Sequence, residues 1–128
     1  MITCTVRFVT FTDGVKTVTE APGRLERTES SCTLYYMLEG DEARILMTER
    51  DFTMERSGTI RLFARFASGE DTVMTTGFQT LGGDIPLRTH IYSCQNTSEG
   101  FLVLLDYSMI FGCETRHVRL EILVSEAV

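Results

Sequence analysis

Along most of the chain, apolar and polar residues alternate. In HVRLEILVSE, residues 117 to 126, Val118, Leu120, Ile122 and Val124 alternate with His117, Arg119, Glu121 and Ser125, and only Leu123 breaks the period. Successive side chains of a strand point to opposite faces, so this run lines up its aliphatics where a helix would scatter them. TIRLFARF, residues 59 to 66, repeats the pattern with Ile60, Leu62, Ala64 and Phe66 on one side and Thr59, Arg61 and Arg65 on the other. Cys4, Val6 and Phe8 repeat it near the start, as do Cys32, Leu34, Tyr36 and Leu38 in SCTLYYML. No segment carries a convincing helical stripe.

The run FLVLLDYSMIFG, residues 101 to 112, is almost wholly apolar. Read as a strand, it puts Phe101, Val103, Leu105, Tyr107, Met109 and Phe111 on one face and Leu102, Leu104, Asp106, Ser108 and Ile110 on the other. The face holding Tyr107 and Met109 is predicted to point inward, and the strand to be a central one. Turn signals fall between the periodic runs at Asp13-Gly14, Pro22-Gly23, Gly40-Asp41, Ser57-Gly58, Ser68-Gly69, Gly82-Gly83 and Ser98-Glu99-Gly100. The spacing predicts about eight to ten short strands in an antiparallel meander. An open meander would leave two exposed edges, and closure removes them. The predicted fold is therefore all-β, a single antiparallel up-and-down β-barrel over residues 1–128.

Composition narrows the picture. A chain of 128 residues fits one domain. A net charge of −6 repels the phosphate backbone and argues against a nucleic-acid partner. The longest apolar runs fall well short of the roughly 20 residues a membrane-crossing helix needs, so no membrane insertion is expected. The opening MITCTVRFVTFTDG has neither a basic leader before an apolar block nor a small-residue cleavage site, which predicts a cytoplasmic protein. Cys4, Cys32, Cys94 and Cys113 lack metal-knuckle or redox spacing and read as free, buried thiols. With only His90 and His117 to complete a site, no metal and no cofactor are expected.

The sequence also resembles a known family. In the order ERSGTIRLFARFASGE, LGGDIPLRTHIYSC, SEGFLVLLDYSMIFG and VRLEILV, the chain is similar to the YwiB-like family of small bacterial β-barrel proteins. The residues that carry the likeness are Arg56, Gly58, Phe66 and Gly69 around one turn and strand, Gly83 and Thr89 along another, and Tyr107 with Met109. The similarity covers roughly residues 43 to 126. It implies a calycin-like barrel related in shape to lipocalins and fatty-acid-binding proteins, and it transfers no catalytic residue to this chain.

A barrel of about eight strands is either filled by its own side chains or just wide enough for one small ligand. Phe8, Tyr36, Phe66, Tyr107 and Met109 form the predicted interior set, whose aromatic and thioether groups suit a small apolar or amphipathic ligand. The same residues would equally pack against one another, leaving an interaction or regulatory module whose protein partner docks outside. Arginines 56, 61, 65 and 88 could meet an anionic head group, yet Arg61 and Arg65 alternate outward and read better as solvated strand residues. Asp106 is expected to face solvent; were it inside, Arg88 or a neighbouring arginine would have to pair with it. Asp106 with His90 or His117, or a cysteine nucleophile, could serve an enzyme, but no motif fixes a triad, and a non-catalytic protein is expected. The acid pairs Asp41-Glu42 and Glu70-Asp71 read as solvated turn residues.

Overall fold

The computed structural model describes residues 1–78 and 80–126. Among them are ten strands: β1 (Ile2–Thr12), β2 (Val15–Arg27), β3 (Ser31–Leu38), β4 (Asp41–Thr48), β5 (Asp51–Ser57), β6 (Ile60–Ala67), β7 (Asp71–Phe78), β8 (Leu81–Asn96), β9 (Gly100–Phe111) and β10 (Glu114–Glu126). Each pairs antiparallel with the next, and β10 returns to pair with β1, closing an up-and-down barrel. Among the described residues no helix is long and apolar enough to cross a membrane.

Two-residue turns make several of these reversals. Asp13-Gly14 and Glu39-Gly40 both take positive φ at their two central residues, the backbone that matches the twist of the flanking strands. Two of the expected turns are not turns. Pro22-Gly23 lies inside β2, where a Cβ on Gly23 would stand 3.0 Å from the Tyr35 carbonyl oxygen and 3.1 Å from Val6 Cγ2. Gly82-Gly83 lies inside β8, paired with Gly77 and Thr76 of β7. In both places glycine marks the close approach of another chain segment or a strand extension, a use that sequence alone does not separate from a reversal.

The inward faces are those the alternation predicts. Val118, Leu120, Ile122 and Val124 of β10 are buried, as are Phe101, Val103, Leu105 and Tyr107 of β9, while Met109 is partly buried at the margin of the core. Aromatic rings pack against one another in the core. Phe66 lies 4.7 Å from Tyr107 and 5.9 Å from Phe52, which in turn lies 5.9 Å from Tyr92, while Phe8 and Tyr36 meet at 5.1 Å. These are separations at which aromatic pairs attract beyond their area burial. Burial pushes the Tyr36 and Tyr107 phenols up to about 12, so both stay neutral within the core.

The two prolines of the chain mark where hairpins leave the barrel wall. The β2–β3 ladder runs from Arg27 only as far as Gly23, next to Pro22, and the β8–β9 ladder starts at Leu87, next to Pro86. Proline has no N–H to give to a ladder, so pairing on one side ends there while pairing with the other neighbour continues.

Candidate functional site

Strand alternation places a large concavity on the outside of the barrel. It is a groove of about 1350 Å³ crossing β2 to β7. Each strand contributes three consecutive residues: Pro22-Gly23-Arg24, Tyr35-Tyr36-Met37, Glu42-Ala43-Arg44, Glu55-Arg56-Ser57, Arg61-Leu62-Phe63 and Thr75-Thr76-Gly77. The middle residue of each triplet points inward, as the burial of Tyr36 and Ala43 shows, so it supplies backbone to the floor. The outer two supply side chains to the walls, except at Gly77, which has none. Register aligns Arg24, Tyr35, Arg44, Glu55, Phe63 and Thr75 as a row of cross-strand neighbours. Arg44 is ion-paired to Glu55 within the row, and Met37 and Phe63 are exposed.

Of the interior set expected to hold a ligand, only Tyr36 borders this groove. Phe8, Phe66 and Tyr107 are engaged in the ring contacts of the core, and Met109 packs at its edge. The arginines do not gather at one mouth. Arg65 goes to Asp51 and Glu70, and Arg88 to Asp71 at 2.9 Å.

Arg56, which points inward, goes to Asp41, and here the reading of Asp41 as a solvated turn acid is overturned. Asp41 is buried, 4% exposed, and accepts from Arg56 Nε at 2.9 Å, the Thr59 N–H at 2.9 Å and the Ile60 N–H at 3.1 Å. Those two backbone donors, first Ile60 and then Thr59, with the Arg56 side chain after them, hold its carboxyl below the usual aspartate range. The carboxylate thus ties the start of β4 to the turn between β5 and β6.

Asp106 lies on the outer face of β9, but its side chain is largely covered, 19% exposed, and it has a partner, where a solvent-facing acid without one was expected. His117 Nε2 lies 2.5 Å from its Oδ1, and the two strands place Ser108 directly opposite His117. His90 is the extra residue of a bulge in β8, between Thr89 opposite Tyr107 and Ile91 opposite Asp106. A bulge re-aims its extra side chain, and His90 Nε2 reaches Ser108 Oγ at 2.8 Å, with the two imidazole centroids 5.9 Å apart. The serine and the carboxylate are therefore held by different imidazoles, so the contacts do not run nucleophile, base and orienter through one ring. His117 also borders a second, shallower hollow of about 630 Å³ with Phe11, Asp13, Arg119 and Glu121. Sequence reading named Asp106, His90 and His117 as candidates but not Ser108 as a partner of His90, because the bulge that aims His90 has no local signature.

The four cysteines are free. Cys4 is buried and Cys32 half-buried, but Cys94 and Cys113 are exposed, against the expectation that all are buried. Cys113 follows Gly112 in the β9–β10 turn, and Cys94 lies near the far end of β8. Desolvation is the first cause raising the thiols of Cys4, Cys32 and Cys94, which keeps them protonated.

No protein-family model matches the chain, and no curated protein matches it. Among solved structures it is similar to the YwiB protein from Bacillus subtilis, with a TM-score of 0.80 at 20% identity, covering 99% of this chain and 92% of that one. The chain has the YwiB fold. The likeness includes the first 40 or so residues, which lie outside the roughly 43 to 126 that carry the sequence resemblance. At this identity the YwiB fold sets the barrel and its strand order and assigns no ligand or reaction.

Proposed function

We propose that the protein is a non-catalytic binding module that takes an extended segment of a partner protein in the outer groove of its filled barrel. The observation that carries this reading is the position of the concavity, outside the wall, while aromatic contacts occupy the centre. Its walls combine Tyr35, Met37 and Phe63 with Arg24, Arg44 and Arg61, residue types enriched where proteins bind one another. Adjacent strands lie about 4.8 Å apart, so β2 to β7 spans about 24 Å, room for roughly seven residues of extended chain. Arg24 makes no ion pair among the described residues and suits a carboxylate on the ligand. Unpaired thiols support work in a reducing compartment such as the cytoplasm. A small apolar or amphipathic ligand inside the barrel is the competing reading; the ring packing of Phe52, Phe66 and Tyr107 speaks against it.

Fluorescence polarisation with two labelled heptapeptides, alternating Leu with Glu and Leu with Lys, tests the proposal. The acidic peptide is expected to bind more tightly and to lose about tenfold or more of its affinity in the Tyr35→Ala, Phe63→Ala double variant, the loss of two aromatic anchors. Failure of both peptides to bind, or acidic binding that survives the double variant, contradicts it. So does a lipid or metabolite mass retained by the freshly purified protein in native mass spectrometry.

A further inference from the structure

The segment of β2 before Pro22 has a partner on one side only. Val15 to Pro22 pair with β1, whereas pairing with β3 begins at Gly23. Residues Val15 to Glu20 are exposed on both faces, so this part of the hairpin projects past the barrel. In a two-residue hairpin the residues flanking the turn form a hydrogen-bonded pair, here Thr12 with Val15. Counting on in twos, Thr17, Thr19 and Ala21 bond toward β1. Lys16, Val18 and Glu20 therefore direct their N–H and C=O groups outward, into the open edge.

The edge is self-complementary. If a second copy of the chain lies antiparallel against it about a two-fold axis at Val18, Val18 meets Val18, Lys16 meets Glu20, Thr17 meets Thr19 and Val15 meets Ala21. Every outward backbone donor and acceptor of Lys16, Val18 and Glu20 then finds its mate, and both opposite-charge pairs fall on the same face as the two valines. The lysine that would otherwise guard an edge against pairing is matched by a glutamate at the symmetric distance. Glu20 also has Arg7 at 4.0 Å on its own hairpin, so in the pair it would stand between two cations, and Lys16 reaches out over the Phe11 ring at 6.0 Å. Pro22 closes the pairing at its far end, because it has no N–H to extend the ladder.

We propose that the protein forms a homodimer in which β2 of each copy pairs with β2 of the other, centred on Val18, joining two barrels through one continuous sheet. The contact is isologous, so it closes at two copies and does not propagate. It stands independently of what the outer groove binds.

Sedimentation equilibrium on the full chain tests the proposal. Wild type is expected to be dimeric in the micromolar range. Lys16→Glu and Glu20→Lys each place like charges opposite one another twice and should weaken association about tenfold or more. The double exchange of the two residues restores the opposite pairing and should restore the dimer. Val18→Pro leaves bonding to β1 intact, because the N–H it removes faces outward, and should give a monomer with an unchanged circular dichroism spectrum. A wild type that stays monomeric at every accessible concentration overturns the proposal. So does a dimer indifferent to Val18→Pro, or single-variant losses that the double exchange fails to rescue.

Discussion

Asp41 shows at the scale of one residue what a pattern of polar positions conceals. From sequence it is one of two acids beside a glycine; in the fold it is a buried carboxylate ringed by Arg56, the Thr59 N–H and the Ile60 N–H. Gly58 makes room for it, since a Cβ there would stand 2.7 Å from the Asp41 carboxyl carbon, and its φ of 137° admits no ordinary side chain. Because the folded state depresses the Asp41 pKa, the stabilisation is full above the unfolded value of about 3.9 and is lost as pH falls through the lower folded value. Asp41→Asn should therefore unfold at lower denaturant concentration than wild type at neutral pH, and the gap should close as pH drops below about 4. Urea melts at a series of pH values check this. A gap of constant size across the series would mean that Asp41 is held by its shape and not by its charge.

Elements were far more legible than their boundaries. Alternation in TIRLFARF and HVRLEILVSE was enough to find β6 and β10 and to give their inward faces, because a half-buried strand imposes its period on every residue. The same logic oriented β9 correctly although both of its faces are apolar. Glycine misled at Gly23 and Gly82-Gly83. A strand that must pass close to a neighbour and a chain that must reverse both select glycine, and only the three-dimensional neighbours tell them apart. Gly23 lies where β2 crowds Val6, Cys4 and the Tyr35 carbonyl, so Gly23→Ala should cost about 1 to 3 kcal/mol through overpacking. Gly14→Ala carries a different penalty, since nothing lies within 4 Å of its Cβ position and only its φ of 76° opposes the substitution. Denaturant midpoints of the two variants check this: a silent Gly23→Ala would show that β1 and β3 yield at that crossing.

At the scale of the whole molecule, the closed meander follows from the sequence and the candidate site does not. A barrel is the sum of local periods plus closure, both of which leave marks along the chain. The outer groove is lined by residues of seven strands, spread from Thr3 to Gly77, so no short motif announces them. The same holds for His90, Ser108, Asp106 and His117, gathered by register and one bulge. The account turns on recognition lying outside the wall while the interior is occupied by Phe52, Phe66, Leu105 and Tyr107. Chemical-shift mapping with 8-anilinonaphthalene-1-sulfonate tests it most directly, because this compact amphipathic anion suits either an arginine and aromatic groove or an apolar barrel cavity. The expected result is perturbation of the Tyr35, Met37 and Phe63 amides with Phe66, Val103 and Leu105 unmoved. Shifts concentrated at Phe66, Val103 and Leu105, with the groove silent, would contradict it.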